Sequence, residues 1–219
     1  TAVADNHGDI GSNAVDLSYS DSASTTNGAT GYASTAMGYL TTASGSISTA
    51  MGYETTASGE VSTAMGQSTE ASGDYSTAMG RDTEASGNFS TAMGYETTAS
   101  GEVSTAMGEL TEASGEVSTA MGAFTTASGS RSTAMGYETT ASGEVSTAMG
   151  QSTEASGDYS TAMGRDTEAS DYGSLVIGQY NSSGSSATSA DSFNTANTAF
   201  VIGNGTGTGE DASDAFKVM

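Results

Sequence analysis

The sequence predicts an all-β fold, a β-solenoid (β-roll) of parallel 14-residue coils, and three observations predict it. The pentapeptide Ser-Thr-Ala-Met-Gly occurs ten times, and its Met recurs every 14 residues from Met37 to Met163. Ala-Ser-Gly repeats at the same spacing from Ala43 to Ala155. The chain has 30 Gly and no Pro, which favours tight turns and strands whose N–H groups all serve a ladder.

The 14-residue period fits two short strands and two turns. A helix–turn–helix repeat needs more than about 30 residues, whereas two strands of about five residues leave room for tight turns. We expect the chain to reverse at two glycine columns, Gly38 to Gly164 and Gly45 to Gly157, because Gly adopts positive φ without steric cost. Residues 53–86 and 137–170 are identical, which indicates recent duplication.

Strand alternation divides each coil into two faces. In the coil 46–59, Met51 lies on one face of the first strand and Ala50 on the other. Ala50 and Ala57 are small enough for the inside of a flattened roll two strands thick, and the Met face then needs another cover. In the alternative, Met fills the roll and Ala faces a partner. The residues by themselves leave both arrangements open.

The Met face predicts self-association. Soluble monomers rarely leave a long apolar stripe open, and a two-strand roll buries little surface per residue, so several rolls that share an apolar seam bury more. We expect this face to contact other copies of the chain. The candidate trimer-interface or core residues are Met37, Met51, Met65, Met79, Met93, Met107, Met121, Met135, Met149, Met163 and Ile177.

The charge balance excludes several partners. The formal net charge is −22, with only four Lys and Arg residues. Nucleic acids and anionic membrane surfaces are bound mainly through Lys and Arg. We therefore expect no nucleic-acid partner and no direct membrane contact by this segment. No run approaches the roughly 18 apolar residues that span a bilayer.

The sequence offers no recognisable catalytic chemistry. The one His, His7, lies in a polar N-terminal stretch, and the carboxylates fall in rows rather than in a convergent site. The run from Asp5 to Asp9 superficially resembles an oxygen-ligand loop, but it lacks the Glu that an EF-hand requires at its twelfth position. We expect no enzyme activity, no cofactor and no metal site.

Outward-facing positions are candidates for contact with a ligand. They combine acidic columns with aromatic spots, a composition that also serves simply for solubility and edge protection. Like charges on neighbouring coils cost about 0.2–1 kcal/mol per pair. The candidate ligand-facing residues are Tyr53, Glu70, Glu84, Tyr95, Phe124, Tyr137, Glu154 and Glu168.

The repeat resembles a known family. Ser-x-Ala-apolar-Gly followed by x-x-Thr-x-Ala-x-Gly at 14-residue spacing is similar to the YadA-like head of trimeric autotransporter adhesins, and the Ser-Thr-Ala-Met-Gly wording is similar to a Burkholderia member. Residues 174–178 and 199–205 resemble the family's strands more closely still. We divide the chain into irregular or degenerate N-terminal coils (1–28), the regular β-roll (29–178), and irregular final coils with a closing strand (179–219).

The resemblance implies a left-handed parallel β-roll that assembles as a homotrimer. It also implies display on the cell surface, at the outer membrane of a Gram-negative bacterium, and attachment to host cell-surface or extracellular-matrix proteins. The neck, heptad stalk and membrane barrel of that family have no counterpart in these residues, so we expect anchoring to belong to other parts of the protein. Two rival functions remain: an ice-binding solenoid using the Thr column that begins at Thr41, or a passive spacer rod.

Overall fold

A computed structural model describes residues 8–21, 24–181 and 189–219 of the chain. The chain divides into two compact units, residues 1–110 and 111–219, and each is described by itself. The described residues contain strands, turns and one 3-10 helix, Gly209–Asp211, and no α-helix. None of their helices is long and apolar enough to cross a membrane. His7 lies outside the described residues.

The N-terminal unit stacks coils that each contribute one long and one short strand. In chain order its strands are β1 Val15–Tyr19, β2 Gly28–Ala29, β3 Thr35–Tyr39, β4 Thr42–Ala43, β5 Thr49–Tyr53, β6 Thr56–Ala57, β7 Thr63–Gln67, β8 Glu70–Ala71, β9 Thr77–Arg81, β10 Glu84–Ala85, β11 Thr91–Tyr95, β12 Thr98–Ala99 and β13 Thr105–Glu109. The odd-numbered strands form one parallel sheet and the even-numbered strands another. The expected parallel β-solenoid is confirmed in this unit.

The C-terminal unit has the same plan and a different ending. Its strands are β14 Glu112–Ala113, β15 Thr119–Ala123, β16 Thr126–Ala127, β17 Thr133–Tyr137, β18 Thr140–Ala141, β19 Thr147–Gln151, β20 Glu154–Ala155, β21 Thr161–Arg165, β22 Glu168–Ala169, β23 Leu175–Gln179, β24 Phe200–Asn204 and β25 Asp214–Val218. Strands β15, β17, β19, β21, β23 and β24 pair in parallel in that order. Strand β25 pairs antiparallel with β24.

Alanine fills the inside of both units. Ala50 and Ala57 are fully buried, and every Ala in these two columns from Ala29 to Ala169 is at most 1% exposed. Ser48 and Thr55 lie beside them and are equally buried. Because the two sheets of a coil are so close, only small side chains fit between them. The structure therefore shows the first of the two arrangements, with Ala inside the roll.

The expectation that glycine supplies both turns is wrong. The residues with left-handed backbone at the turns are not glycines: Ile47 has φ of 59° and Glu54 has φ of 52°, and both columns repeat this value. The Gly45 column has ordinary φ, and Gly is needed there because a Cβ on Gly45 would collide with the carbonyl oxygen of Gly59 in the next coil. Gly52 does have positive φ, 130°, but it lies within strand β5.

Both irregular ends are built from strands. The strand anticipated around Asn13 to Leu17 is Val15–Tyr19, which pairs with β3. The spacing of 25 between Ile177 and Ile202 was attributed to a deletion or changed turn across the last coils; the two residues are direct strand partners, so these residues form one enlarged coil. The closing strand expected near residues 213–218 is confirmed as Asp214–Val218.

Candidate functional surfaces

The methionines form a half-exposed row on the outside of each unit. In the N-terminal unit the Met row consists of Met37, Met51, Met65, Met79, Met93 and Met107; in the C-terminal unit it consists of Met121, Met135, Met149 and Met163, followed by Ile177. Met37 is 42% exposed, and the others are intermediate. Pairing in register places each Met beside the Met of the next coil, as with Met51 and Met65. The row is a continuous apolar strip within each unit.

A second apolar row lies at the turn that precedes each long strand. We call it the turn row: Ala33, Ile47, Val61, Tyr75, Phe89 and Val103 in the N-terminal unit, and Val117, Arg131, Val145 and Tyr159 in the C-terminal unit. Ile47 is 52% exposed and Phe89 55%. The rings of Tyr75 and Phe89 stack at 5.0 Å between centroids. All ten residues have left-handed backbone, with φ between 51° and 59°.

The turn row breaks a local rule of residue choice. Left-handed backbone favours Gly, Asn and Asp, and it is a genuine outlier for β-branched residues such as Val61 and Val103. The other left-handed column carries mostly Glu, Ser and Asp, as with Glu54, Ser68 and Asp82. Two turns of the same backbone type thus differ in polarity. The apolar character of the turn row is therefore not required by the turn.

Aromatic and cationic side chains occupy the last position of the long strands. This strand-end row consists of Tyr39, Tyr53, Gln67, Arg81, Tyr95 and Glu109 in the N-terminal unit, and Ala123, Tyr137, Gln151, Arg165 and Gln179 in the C-terminal unit. Tyr39 and Tyr53 stack at 5.2 Å between ring centroids. The Arg81 guanidinium lies 4.2 Å from the centroid of Tyr95, a cation–π distance.

One carboxylate joins the tyrosine stack of the N-terminal unit. The Tyr39 hydroxyl donates to Asp21 Oδ2 over 2.6 Å. This hydrogen bond raises the pKa of Tyr39 to about 12. Hydrogen bonds from Tyr39 and then Tyr19 lower the pKa of Asp21, because they stabilise its ionised form. Sequence reasoning missed Tyr19 and Tyr39, although Tyr39 lies one period before Tyr53.

The four glutamates proposed to face a ligand lie on the outer side of the short strands. Glu70 pairs with Glu84, and Glu154 pairs with Glu168, each in register on neighbouring coils. Partial desolvation, and then repulsion from Glu154, raise the pKa of Glu168. Strands β8 and β10 thus bring like charges together at a strand spacing of about 4.8 Å. These pairs form two acidic patches, one in each unit.

The structure separates the aromatic candidates from the acidic ones. Tyr53, Tyr95 and Tyr137 end long strands, whereas the glutamates lie on short strands beyond the intervening turn. Phe124 lies at that turn, and its ring meets Tyr137 edge-on at 5.6 Å between centroids. The candidates therefore form two neighbouring rows in each coil and no enclosed site.

The Thr column considered for ice binding is inside the roll. Thr41, Thr55 and the Thr residues that follow at 14-residue spacing to Thr167 are at most 1% exposed. Their hydroxyls have no hydrogen-bond partner in the part of the chain that the structure describes. A buried column offers no surface on which to order water, so the structural basis for that function is absent.

Comparison with protein families gives the same repeat. The model of the YadA head domain repeat, which spans two copies, matches ten overlapping windows that start every 14 residues, from 29–55 to 155–181. The chain belongs to the YadA head family. Its β-roll is thus a YadA-like head, the repeat type of trimeric autotransporter adhesins. No curated protein sequence matches the chain.

The match falls where the coil geometry is regular. The YadA-like repeat covers residues 29–181, which end near β23, and the enlarged coil that follows lies beyond it. That coil folds its loop back on the roll, since Tyr172 and Asp158 donate backbone N–H groups to the carbonyls of Ser189 and Ala190, at 2.8 and 2.7 Å. The head therefore joins a regular family repeat to a different terminal element.

Proposed function

We propose that this YadA-like head is part of a bacterial cell-surface adhesin that assembles as a homotrimer and attaches to host cells or extracellular-matrix proteins. The Met row, flanked by the turn row, forms the surface between the three copies. The outward short strands and the neighbouring aromatic positions face the ligand. Display is at the outer membrane of a Gram-negative bacterium, anchored by other parts of the protein.

The observation that carries the assembly is the apolar turn row. Left-handed backbone for a residue other than Gly costs about 1–3 kcal/mol. Ile47, Val103 and Val117 bear this cost while between 45% and 52% of each residue remains exposed. In an isolated chain neither the turn nor the core benefits from these side chains. A copy of the chain packed against them supplies the missing gain through apolar burial.

The acidic patches support a ligand-facing side away from that surface. Glu70 and Glu84 repel each other, and so do Glu154 and Glu168, at a cost of about 0.2–1 kcal/mol per pair. A partner that presents Lys or Arg side chains relieves this repulsion, and contact with such a partner is favoured by the net charge of −22. Basic regions of matrix or host-surface proteins have this chemistry.

Adhesion of two matched double variants tests the ligand-facing side. Glu70→Lys with Glu84→Lys reverses an acidic patch, whereas Glu60→Lys with Glu102→Lys makes the same charge change at the opposite turn. Each purified chain is applied to cultured host cells and to immobilised collagen, after light scattering has confirmed an unchanged mass. We expect a several-fold loss of binding for the first variant only. Equal binding by both variants, or no binding by the parent chain, favours the spacer function.

A further inference from the structure

Every arginine of the repeat array has a tyrosine at the opposite end of its own long strand segment. Tyr75 is in the turn row and Arg81 in the strand-end row of the same coil. Tyr159 and Arg165 repeat this arrangement in the duplicated block. In the coil between 131 and 137 the order is reversed, with Arg131 in the turn row and Tyr137 in the strand-end row.

The two members of a pair cannot reach each other within one chain. Six residues of nearly extended backbone separate Tyr75 from Arg81, a distance of about 20 Å. Inside the chain each guanidinium finds a neighbour on one side only. Arg81 pairs with Asp82 at 3.2 Å, and Arg131 pairs with Glu144 at 3.1 Å. More than half of each arginine side chain remains exposed, at 54% and 55%.

A ring of copies places the two ends together. If the copies are related by rotation about an axis parallel to the stacking direction, with the Met row facing that axis, each interface is heterologous. The start of a long strand in one copy then lies beside the end of the strand at the same level in the next copy. The turn row of one chain consequently meets the strand-end row of its neighbour.

We propose that Arg81, Arg131 and Arg165 form cation–π contacts with Tyr75, Tyr137 and Tyr159 of an adjacent copy and thereby fix the register between copies of this chain. The inference rests on the proposed homotrimer. A guanidinium over the face of Tyr is a favourable contact, and it is stronger where the interface excludes water. Each pair also covers an exposed ring, since Tyr75 and Tyr159 are each 50% exposed.

Register needs such a device because the rest of the seam is uniform. The Met row has the same residue at each 14-residue step, so a slip by one coil leaves Met against Met. The same slip places Arg131 beside Ala123 or Gln151, and neither offers an aromatic face. Sparse polar residues in a repetitive apolar seam are the best-attested means of setting register in coiled coils. The arginines hold the corresponding position here.

Disulfide trapping tests the contact of the two rows directly. The chain has no Cys, so Val61→Cys with Gln67→Cys introduces a single pair, one coil before Tyr75 and Arg81, and leaves the arginines in place. Within one chain these positions are about 20 Å apart, too far for a disulfide, which needs Cα atoms within about 7 Å. Two controls accompany it: each Cys alone, and the out-of-register pair Val61→Cys with Tyr95→Cys.

Three results are distinguishable when mass is measured by light scattering before oxidation. A trimeric mass with covalent trimers only in the in-register pair supports the proposal. A trimeric mass without cross-linking, or with equal cross-linking in the out-of-register pair, overturns it and leaves the homotrimer standing. A monomeric mass overturns the homotrimer and the inference with it.

The role of the arginines is tested in the same background. Replacing Arg81, Arg131 and Arg165 by Gln should reduce in-register cross-linking several-fold and raise the out-of-register product. The matched control replaces Gln67-level neutral positions instead, as Gln151→Asn does in the C-terminal unit, and should leave both products unchanged. An unaltered pattern in the triple Gln variant contradicts a register role for the arginines.

Discussion

Val103 donates its backbone N–H to the carbonyl oxygen of Asn88, one coil earlier, over 2.8 Å, while its own φ is 59°. The hydrogen bond belongs to the repeating turn and would form with any residue that accepts this backbone. A β-branched side chain is among the least suited to it. The side chain at this position is 47% exposed. The turn row is therefore explained better by what it contacts outside the chain than by the turn.

Val103→Asn separates the needs of the turn from those of the assembly. Asn tolerates left-handed backbone, so the thermal midpoint of the dissociated chain should stay equal or rise. Assembly should weaken, because apolar surface worth roughly 1 kcal/mol or more per copy is lost. A dilution series followed by light scattering measures the change.

Glu96→Asn is the matched control for that variant. Glu96 has φ of 49° in the other left-handed column, so the same backbone relief is obtained without loss of apolar surface. It should raise the thermal midpoint and leave dissociation unchanged. If both variants dissociate at the parent's concentration, the turn row does not contribute to assembly.

Gly73→Ala tests close coil approach. The φ of Gly73 suits any residue, yet a Cβ there would overlap the carbonyl oxygen of Gly87 in the next coil, and backbone on both sides leaves little room to shift. We expect a loss of at least about 1–3 kcal/mol in the free energy of unfolding, measured by urea denaturation. Gly173→Ala is the control, because Gly173 has φ of 68° with open space around it; its cost should be about 1–2 kcal/mol. A milder effect at Gly73 than at Gly173 would refute the packing explanation.

Thr97→Val should stabilise the N-terminal unit. The Thr97 side chain is fully buried and its hydroxyl has no hydrogen-bond partner in the described part of the chain. Leaving a buried polar group unpaired costs about 1–3 kcal/mol, and Val has nearly the same shape. The thermal midpoint is expected to rise. Ser48→Ala should lower it, because the Ser48 hydroxyl donates to the Gly45 carbonyl at 2.7 Å. A fall in both variants would mean that the Thr hydroxyl is satisfied.

Glu168 makes stability depend on pH in a predictable direction. Its pKa is raised above the ordinary value by partial desolvation and then by Glu154. As pH rises, the unfolded chain therefore loses this proton first, so the contribution of Glu168 is unfavourable above its ordinary pKa and vanishes below it. Glu168→Gln should raise the thermal midpoint at pH 7 and have little effect near pH 3.

The control for this residue is Glu112→Gln, whose strand neighbour in the next coil is Thr126. It removes one charge of the same column without relieving a like-charge pair. The two variants should differ at pH 7. Equal shifts at that pH would attribute the effect to net charge rather than to the Glu154–Glu168 pair.

The coil itself could be predicted from the sequence because its period is so regular. A strict 14-residue repeat with Ala in alternating positions fixes both the strand pairing and the buried side, as Ala50 and Ala57 illustrate. The turns could not be predicted, because glycine is ambiguous: it serves positive φ at some sites and close backbone approach at others. At Gly45 the second need prevails, and Ile47 takes the left-handed conformation instead.

The surfaces were harder to predict than the core. Sequence periodicity identified Tyr53 and Glu70 as outward, but it did not show that a turn separates the aromatic row from the acidic row. The Arg81–Tyr95 contact depends on which columns lie side by side on neighbouring coils. The enlarged coil after β23 has no repeat to guide it, so the pairing of Ile177 with Ile202 emerged only from the structure.

Solution mass by light scattering tests the central claim most directly. The chain has a mass of 21.6 kDa, and a homotrimer that covers the Met row and the turn row has three times that mass. Met79→Glu with Met93→Glu should reduce it to one chain mass, because charge cannot be buried at the seam without a partner. A parent chain that stays at 21.6 kDa throughout a concentration series would contradict the account.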